Sequence, residues 1–103
     1  MVQQSNVRRL RASRRFKLFL PTRMRLGHHG FAAHLIDLSV SGALATATEP
    51  PAVGTRVFVR MLGGSRAARV VRRDGREFGI EFAVPLTAEE VAGLVTSREE
   101  EAA

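Results

Sequence analysis

The sequence predicts an all-β domain with a terminal helix: a six-stranded antiparallel barrel capped at one end by a C-terminal α-helix. Three observations predict it. Apolar and polar residues alternate along several short segments, glycine- and proline-bearing turns separate those segments, and helical spacing of apolar residues is confined to the end of the chain. Closure is the expected outcome for hairpin-connected strands of this kind, because it removes exposed edges.

The elements follow in order. Residues 1–15 are polar or basic without a hydrophobic face and are expected to form a flexible arm, followed by a domain over 16–97 and a disordered acidic tail over 98–103 that contains Glu99-Glu100-Glu101. From Phe16, Leu18, Leu20, Thr22, Met24 and Leu26 share one face of a first strand, with Lys17, Phe19, Pro21, Arg23 and Arg25 on the other. Pro21 suits an edge or a bulge, since it donates nothing to a ladder. Gly27-His28-His29-Gly30 reads as a turn, and a second strand runs from about Phe31 to Leu38. Ala43 to Ala47 makes a short third strand of mostly small residues, and Glu49-Pro50-Pro51-Ala52-Val53-Gly54 makes a loop, because two prolines do not continue a ladder. In the fourth strand Val57, Val59 and Met61 oppose Arg56, Phe58 and Arg60, and Gly63-Gly64 turns the chain. A fifth strand over about Arg66–Arg73 meets Asp74-Gly75, a strong hairpin signal, which would set Val71 opposite Phe78 and Arg72 opposite Glu77. Phe78, Ile80 and Phe82 mark the core side of the sixth strand. Thr87 and Glu90 form a capping box, and Val91, Leu94 and Val95 recur at helical spacing to lid the barrel.

At 103 residues the chain is one domain, too small for a catalytic cleft between lobes. Its formal charge of +6 arises from 16 basic and 10 acidic residues, and nearly every basic one is arginine. Arginine pairs bidentately with phosphate or the guanine Hoogsteen edge and stacks on bases, so the partner is expected to be anionic. The arginine-rich habit of a high-GC genome is the plain alternative. Without cysteine, disulfides and thiolate chemistry are excluded. No apolar run approaches the roughly 20 residues of a membrane span and the N-terminus lacks a signal-peptide core, so no membrane insertion and a cytoplasmic location are expected. The three histidines offer neither triad nor metal spacing: His28 and His29 are adjacent and point apart, and His34 sits in an apolar run. Neither an enzyme, a metal site nor a cofactor is expected.

Two stretches carry the candidate chemistry. Arg8, Arg9, Arg11, Arg14 and Arg15 crowd eight positions without an acidic residue, and Asp37-Leu38-Ser39-Val40-Ser41-Gly42 ends an apolar run in a polar corner. Taken singly, the first is a solvated arm and the second a strand-ending turn. In order, Arg11-Ala12-Ser13-Arg14-Arg15 has the form RxxxR, a strand containing Leu20-Pro21 follows, and Asp37-x-Ser39-x-x-Gly42 comes after the second strand.

This arrangement resembles the PilZ domain, a bacterial family whose members bind cyclic di-GMP, and the resemblance extends through Gly79-Ile80-Glu81-Phe82 to the terminal helix. It implies a barrel with an arginine loop folded over a ligand on its surface. Arg11 and Arg15 match the motif arginines; Asp37, Ser39 and Gly42 match the second motif. Arg8, Arg9 and Arg14 are additional candidate contacts. Leu10 occupies a position where some members carry a further arginine that favours a stacked ligand pair, so a single bound dinucleotide is implied. The expected role is an effector that relays the ligand to a protein partner, as a monomer or weak homodimer. The alternatives are a basic nucleic-acid-binding barrel, disfavoured because several of the six phenylalanines fall on core faces, and an adaptor that binds only protein.

Overall fold

The computed structural model describes residues 14–61 and 63–102. Six strands, β1 (Phe16–Leu26), β2 (His29–Leu38), β3 (Gly42–Thr46), β4 (Arg56–Met61), β5 (Gly64–Asp74) and β6 (Glu77–Phe82), precede a helix, α1 (Ala88–Ala102). All neighbouring pairs are antiparallel, and the strands close in the order β1-β2-β3-β6-β5-β4.

Period-two alternation explains the core. Leu18, Leu20 and Met24 of β1 point inward with Leu35, Leu38, Ala45, Val57, Val59, Val70 and Phe78, all buried, while Lys17, Phe19, Arg23 and Arg25 face out. Each fully buried aliphatic or aromatic side chain contributes about 1.5–3 kcal/mol relative to exposure. The barrel closes through a short β1–β4 ladder at Met24–Val59 and Arg25–Phe58, supplemented by Thr22 Oγ1 donating to the Arg60 carbonyl at 3.0 Å. Pro21 lies beyond that ladder and next to a register shift between Lys17 and Leu20, so its missing N–H breaks no bond to β4.

Three turns are tighter or differently placed than the sequence predicts, one of them at Gly63-Gly64, where Gly64 already belongs to β5 and pairs with Met61. His29 already pairs with Leu26, which leaves Gly27-His28 as the turn, with Gly27 at φ +57°. Asp74 pairs with Glu77, so the β5–β6 turn is Gly75-Arg76 instead of Asp74-Gly75, and Arg73, not Val71, lies opposite Phe78. The positive φ of +64° at Gly75 therefore serves the first central turn position, which suits a hairpin of the II′ kind. A register shift between Val70 and Arg72 then restores the inward face: Val70 packs opposite Ile80, and Val71 is left 47% exposed.

The helix begins as the capping box requires. The Thr87 N–H donates to Glu90 Oε1 at 2.9 Å and the Glu90 N–H donates to Thr87 Oγ1 at 3.0 Å. Leu86, Val91 and Leu94 are buried against the barrel, and Glu90 also pairs with Arg66 of β5. The helix continues through Ala102, past Ser97 and through most of the positions where an acidic tail is expected to fray.

Thr87→Ala is expected to lower unfolding free energy by about 0.5–2 kcal/mol, measured by denaturant titration. The Thr87 N–H, and after it the Arg66 guanidinium, hold the Glu90 carboxyl below its ordinary range against partial desolvation. A lowered folded-state value stabilises fully above the ordinary glutamate range, and that stabilisation is lost as pH falls through the folded value. Glu90→Gln should therefore flatten the acid limb of the stability–pH curve without steepening the neutral region.

Candidate ligand-binding site

The site originates in a break in β2. Ala33 and Leu35 point inward, and strict alternation would send Asp37 inward as well. Between Leu35 and Asp37 the register shifts against β3, so that Asp37 pairs with Leu44 and Lys17 on the outer face while Leu38 returns to the core opposite Ala43. The carboxylate that would be stranded among apolar side chains is thereby turned onto the barrel wall.

Ser39 then closes the corner on itself. Its N–H donates to the Gly42 carbonyl at 2.9 Å, its Oγ accepts from the Gly42 N–H at 3.2 Å, and its Oγ lies 3.2 Å from Ser41 Oγ. At 2% exposure, Ser39 is a buried peg whose polar atoms are satisfied locally, and not a free donor. Gly42 does not need a positive φ; it needs the absence of a side chain, because a Cβ there would stand 2.2 Å from the Ile80 carbonyl oxygen of β6. The corner is also tied to the end of the barrel, since the Phe82 N–H donates to the Ser41 carbonyl at 2.9 Å and the Leu86 N–H to the Val40 carbonyl at 2.8 Å.

Beside this corner lies an open cavity of about 420 Å³ on the outer wall of β3, β6 and β5, lined by Arg15, Ser41, Leu44, Val71, Arg72 and Glu81 among others. Arg15 stands at its mouth, with Nη1 3.6 Å from Asp37 Oδ2. Asp37 Oδ1 is buried and has no hydrogen-bond partner. Arg72 approaches from the other side: it pairs with Gly79, and the bare Gly79 backbone leaves room for its side chain, since a Cβ would lie 3.1 Å from Arg72 Cγ and 3.2 Å from Nε. Two guanidiniums with fixed forks thus flank a concave surface, which is the arrangement that grips phosphate oxygens or a purine edge.

Of the residues expected from sequence, Arg15, Asp37, Ser39 and Gly42 come together here. Arg8, Arg9, Leu10 and Arg11 lie outside the described residues. Arg14 is elsewhere: its guanidinium stacks over Phe16, 5.2 Å from the ring centroid, at an apolar groove against α1. Arg72, Gly79 and Glu81 are part of the site and were not singled out by their sequence positions as ligand contacts. The only signal for them is the Gly79-Ile80-Glu81-Phe82 segment, which resembles the family without stating a role. Among the described residues no group of three or more histidine, cysteine or acidic side chains is placed to hold a metal, and His34 stacks on Phe19 with ring centroids 4.3 Å apart. No helix of the described residues is long and apolar enough to cross a membrane.

A family model described as PilZ domain matches residues 9–97. The crystal structure of the PilZ domain of CeSA from a cellulose-synthesizing bacterium superposes with a TM-score of 0.60 at 16% sequence identity, covering 88% of this chain and 100% of that one. At that identity the likeness establishes a shared fold. No curated protein matches the chain. With the family match spanning the barrel and most of its helix, the chain belongs to the PilZ domain family.

Proposed function

We propose that this protein is a cyclic di-GMP receptor that binds the dinucleotide on the β3–β6–β5 wall, between Arg15 and the Asp37–Gly42 corner, and signals its presence to a protein partner. The observation that carries this is the convergence of Arg15 and Arg72 on one open cavity beside a buried carboxylate oxygen that lacks a partner. Cyclic di-GMP offers two phosphodiester charges for the guanidiniums and guanine N1–H and N2–H donors for Asp37. Arg11, which occupies the first arginine position of the RxxxR motif, adds a second fork from the arm. Each charge-assisted hydrogen bond is worth about 1.5–3 kcal/mol net. Three or four of them, with stacking, support roughly micromolar affinity after the entropic cost of association.

The corner and the arm have different work. Asp37 anchors Arg15 at the mouth while the site is empty, and guanine competes for that carboxylate when ligand enters. A partner senses the ligand to the extent that it contacts the arm differently in the two arrangements.

Titration calorimetry with cyclic di-GMP tests this. Saturable binding by the wild type is expected, weakened about tenfold or more by Arg15→Ala through loss of a charge-assisted contact. Asp37→Ala should reduce discrimination against cyclic di-AMP. Gly79→Ala should weaken binding by displacing Arg72 while leaving cooperative unfolding intact, whereas Gly42→Ala should cost about 1–3 kcal/mol of stability by driving β3 from β6. Absence of binding by folded wild-type protein would overturn the assignment.

A further inference from the structure

The opposite side of the barrel carries a second charged surface. In the ring of strands, β1 lies across from β6 and β4 across from β3, so the outer face of β1 and β4 is the wall farthest around from the cavity. Arg23 and Arg25 of β1 and Arg56 and Arg60 of β4 are exposed on it, arranged about the half-buried ring of Phe58. Neither strand contains a carboxylate, and among the described residues the ion pairs are Arg15–Asp37 and Arg66–Glu90, neither of which involves this wall.

The guanidiniums are held in place. Arg25 lies 4.9 Å and Arg56 5.6 Å from the Phe58 ring centroid, so both are stacked with their N–H edges left to the side. Arg23 lies over Gly30 of β2, where a Cβ would be 3.3 Å from Arg23 Nη2. The β1–β4 register, Met24 with Val59 and Arg25 with Phe58, brings Arg23 beside Arg60 one step further on, and Arg56 pairs directly with Arg69 of β5. Like charges placed opposite one another across strands destabilise a sheet. The wall therefore carries an electrostatic cost that folding does not require and that an anionic partner would remove.

We propose that the β1–β4 wall docks an acidic segment of a partner protein, one presenting carboxylates at alternate positions of an extended strand. Same-face residues on a strand recur about every 7 Å, so carboxylates at alternate positions match Arg23 and Arg25. Every second one of them matches Arg56 and Arg60, which lie about 13–14 Å apart on either side of Phe58. A nucleic-acid strand fits less well, because sequence-tolerant binding needs open aromatic faces for the bases. Phe58 already carries two guanidiniums, and Phe19 further along β1 is stacked on His34. Because this wall and the ligand cavity are on opposite sides, a partner on the wall leaves the cavity open.

The proposal rests on the barrel geometry, independently of the ligand assigned to the cavity. Fluorescence anisotropy with the full chain and a labelled peptide of alternating glutamate and threonine tests it, against the glutamine counterpart and a single-stranded oligothymidylate of equal charge. The wild type should bind the glutamate peptide saturably and in preference to both controls, and Arg25→Glu with Arg60→Glu should weaken that binding about tenfold or more. Circular dichroism and cyclic di-GMP titration of the double variant should match the wild type, separating this surface from the cavity. No saturable binding of the glutamate peptide, binding unaffected by the double variant, or tighter binding of the oligothymidylate would overturn the proposal. So would a wild-type dimer in sedimentation that the double variant dissociates, which would assign the wall to a second copy.

Discussion

The geometry of the ligand wall depends on how closely β3 is pressed onto β6. At Gly42 the two backbones approach until no Cβ fits against the Ile80 carbonyl, and that approach fixes the start of β3. Ser39 and Gly42, bonded to each other, then fix the corner, and the break after Leu35 determines that Asp37 emerges on the outer face. Each step is a backbone constraint that leaves a side chain in one place. A buried serine whose hydrogen bonds are satisfied at home and a glycine that admits a neighbouring strand are supports for the site. Arg15 and Arg72 line the cavity together with Ser39, Ser41 and Gly42, and Asp37 stands beside it with Oδ2 3.6 Å from Arg15 Nη1. Ser39 and Gly42, two of the motif residues, thus shape the corner as well as lining the cavity.

Two of the three register shifts among the described residues flank this wall, the third lying in β1 between Lys17 and Leu20. The shift at Ile36 turns Asp37 outward, and the shift at Val71 exposes that valine and sets Arg72 against Gly79. Both flank the cavity, consistent with the use of bulges to re-aim side chains beside binding sites. The β1–β4 wall lacks such a break along its short ladder and presents its arginines by plain alternation. One barrel thus carries two surfaces of different make: a concave one built by exceptions to the strand pattern, and a convex one built by the pattern itself.

That contrast accounts for what was legible in the sequence. Alternation in β1, β4 and β6, the capping box at Thr87, and the final apolar stripe are local signals, and the strands and helix formed where they pointed. Asp37, Ser39 and Gly42 were legible as a motif, though the motif did not announce the hydrogen bonds and the close approach by which Ser39 and Gly42 shape the corner. The Asp74-Gly75 signal was real but ambiguous: one glycine serves either central position of a two-residue turn, and its choice moves the register. The bulges at Ile36 and Val71 had no distinct residue type to announce them. Arg72 was hidden for a different reason. It lies on the β5–β6 hairpin, but the placement of the turn and the register shift at Val71 set it against Gly79 in place of Glu77, and the cavity it lines is completed by β3, which pairs with β6 from far along the chain.

Cyclic di-GMP recognition at the β3–β6–β5 wall is tested most directly by following backbone amide resonances of the full chain as the ligand is added. It predicts that the largest shifts fall on Arg15, Ser39 through Gly42, Val71, Arg72 and Gly79, with the β1–β4 amides near Arg25 and Phe58 little changed. Shifts confined to β1 and β4, with the corner silent at saturation, would contradict it.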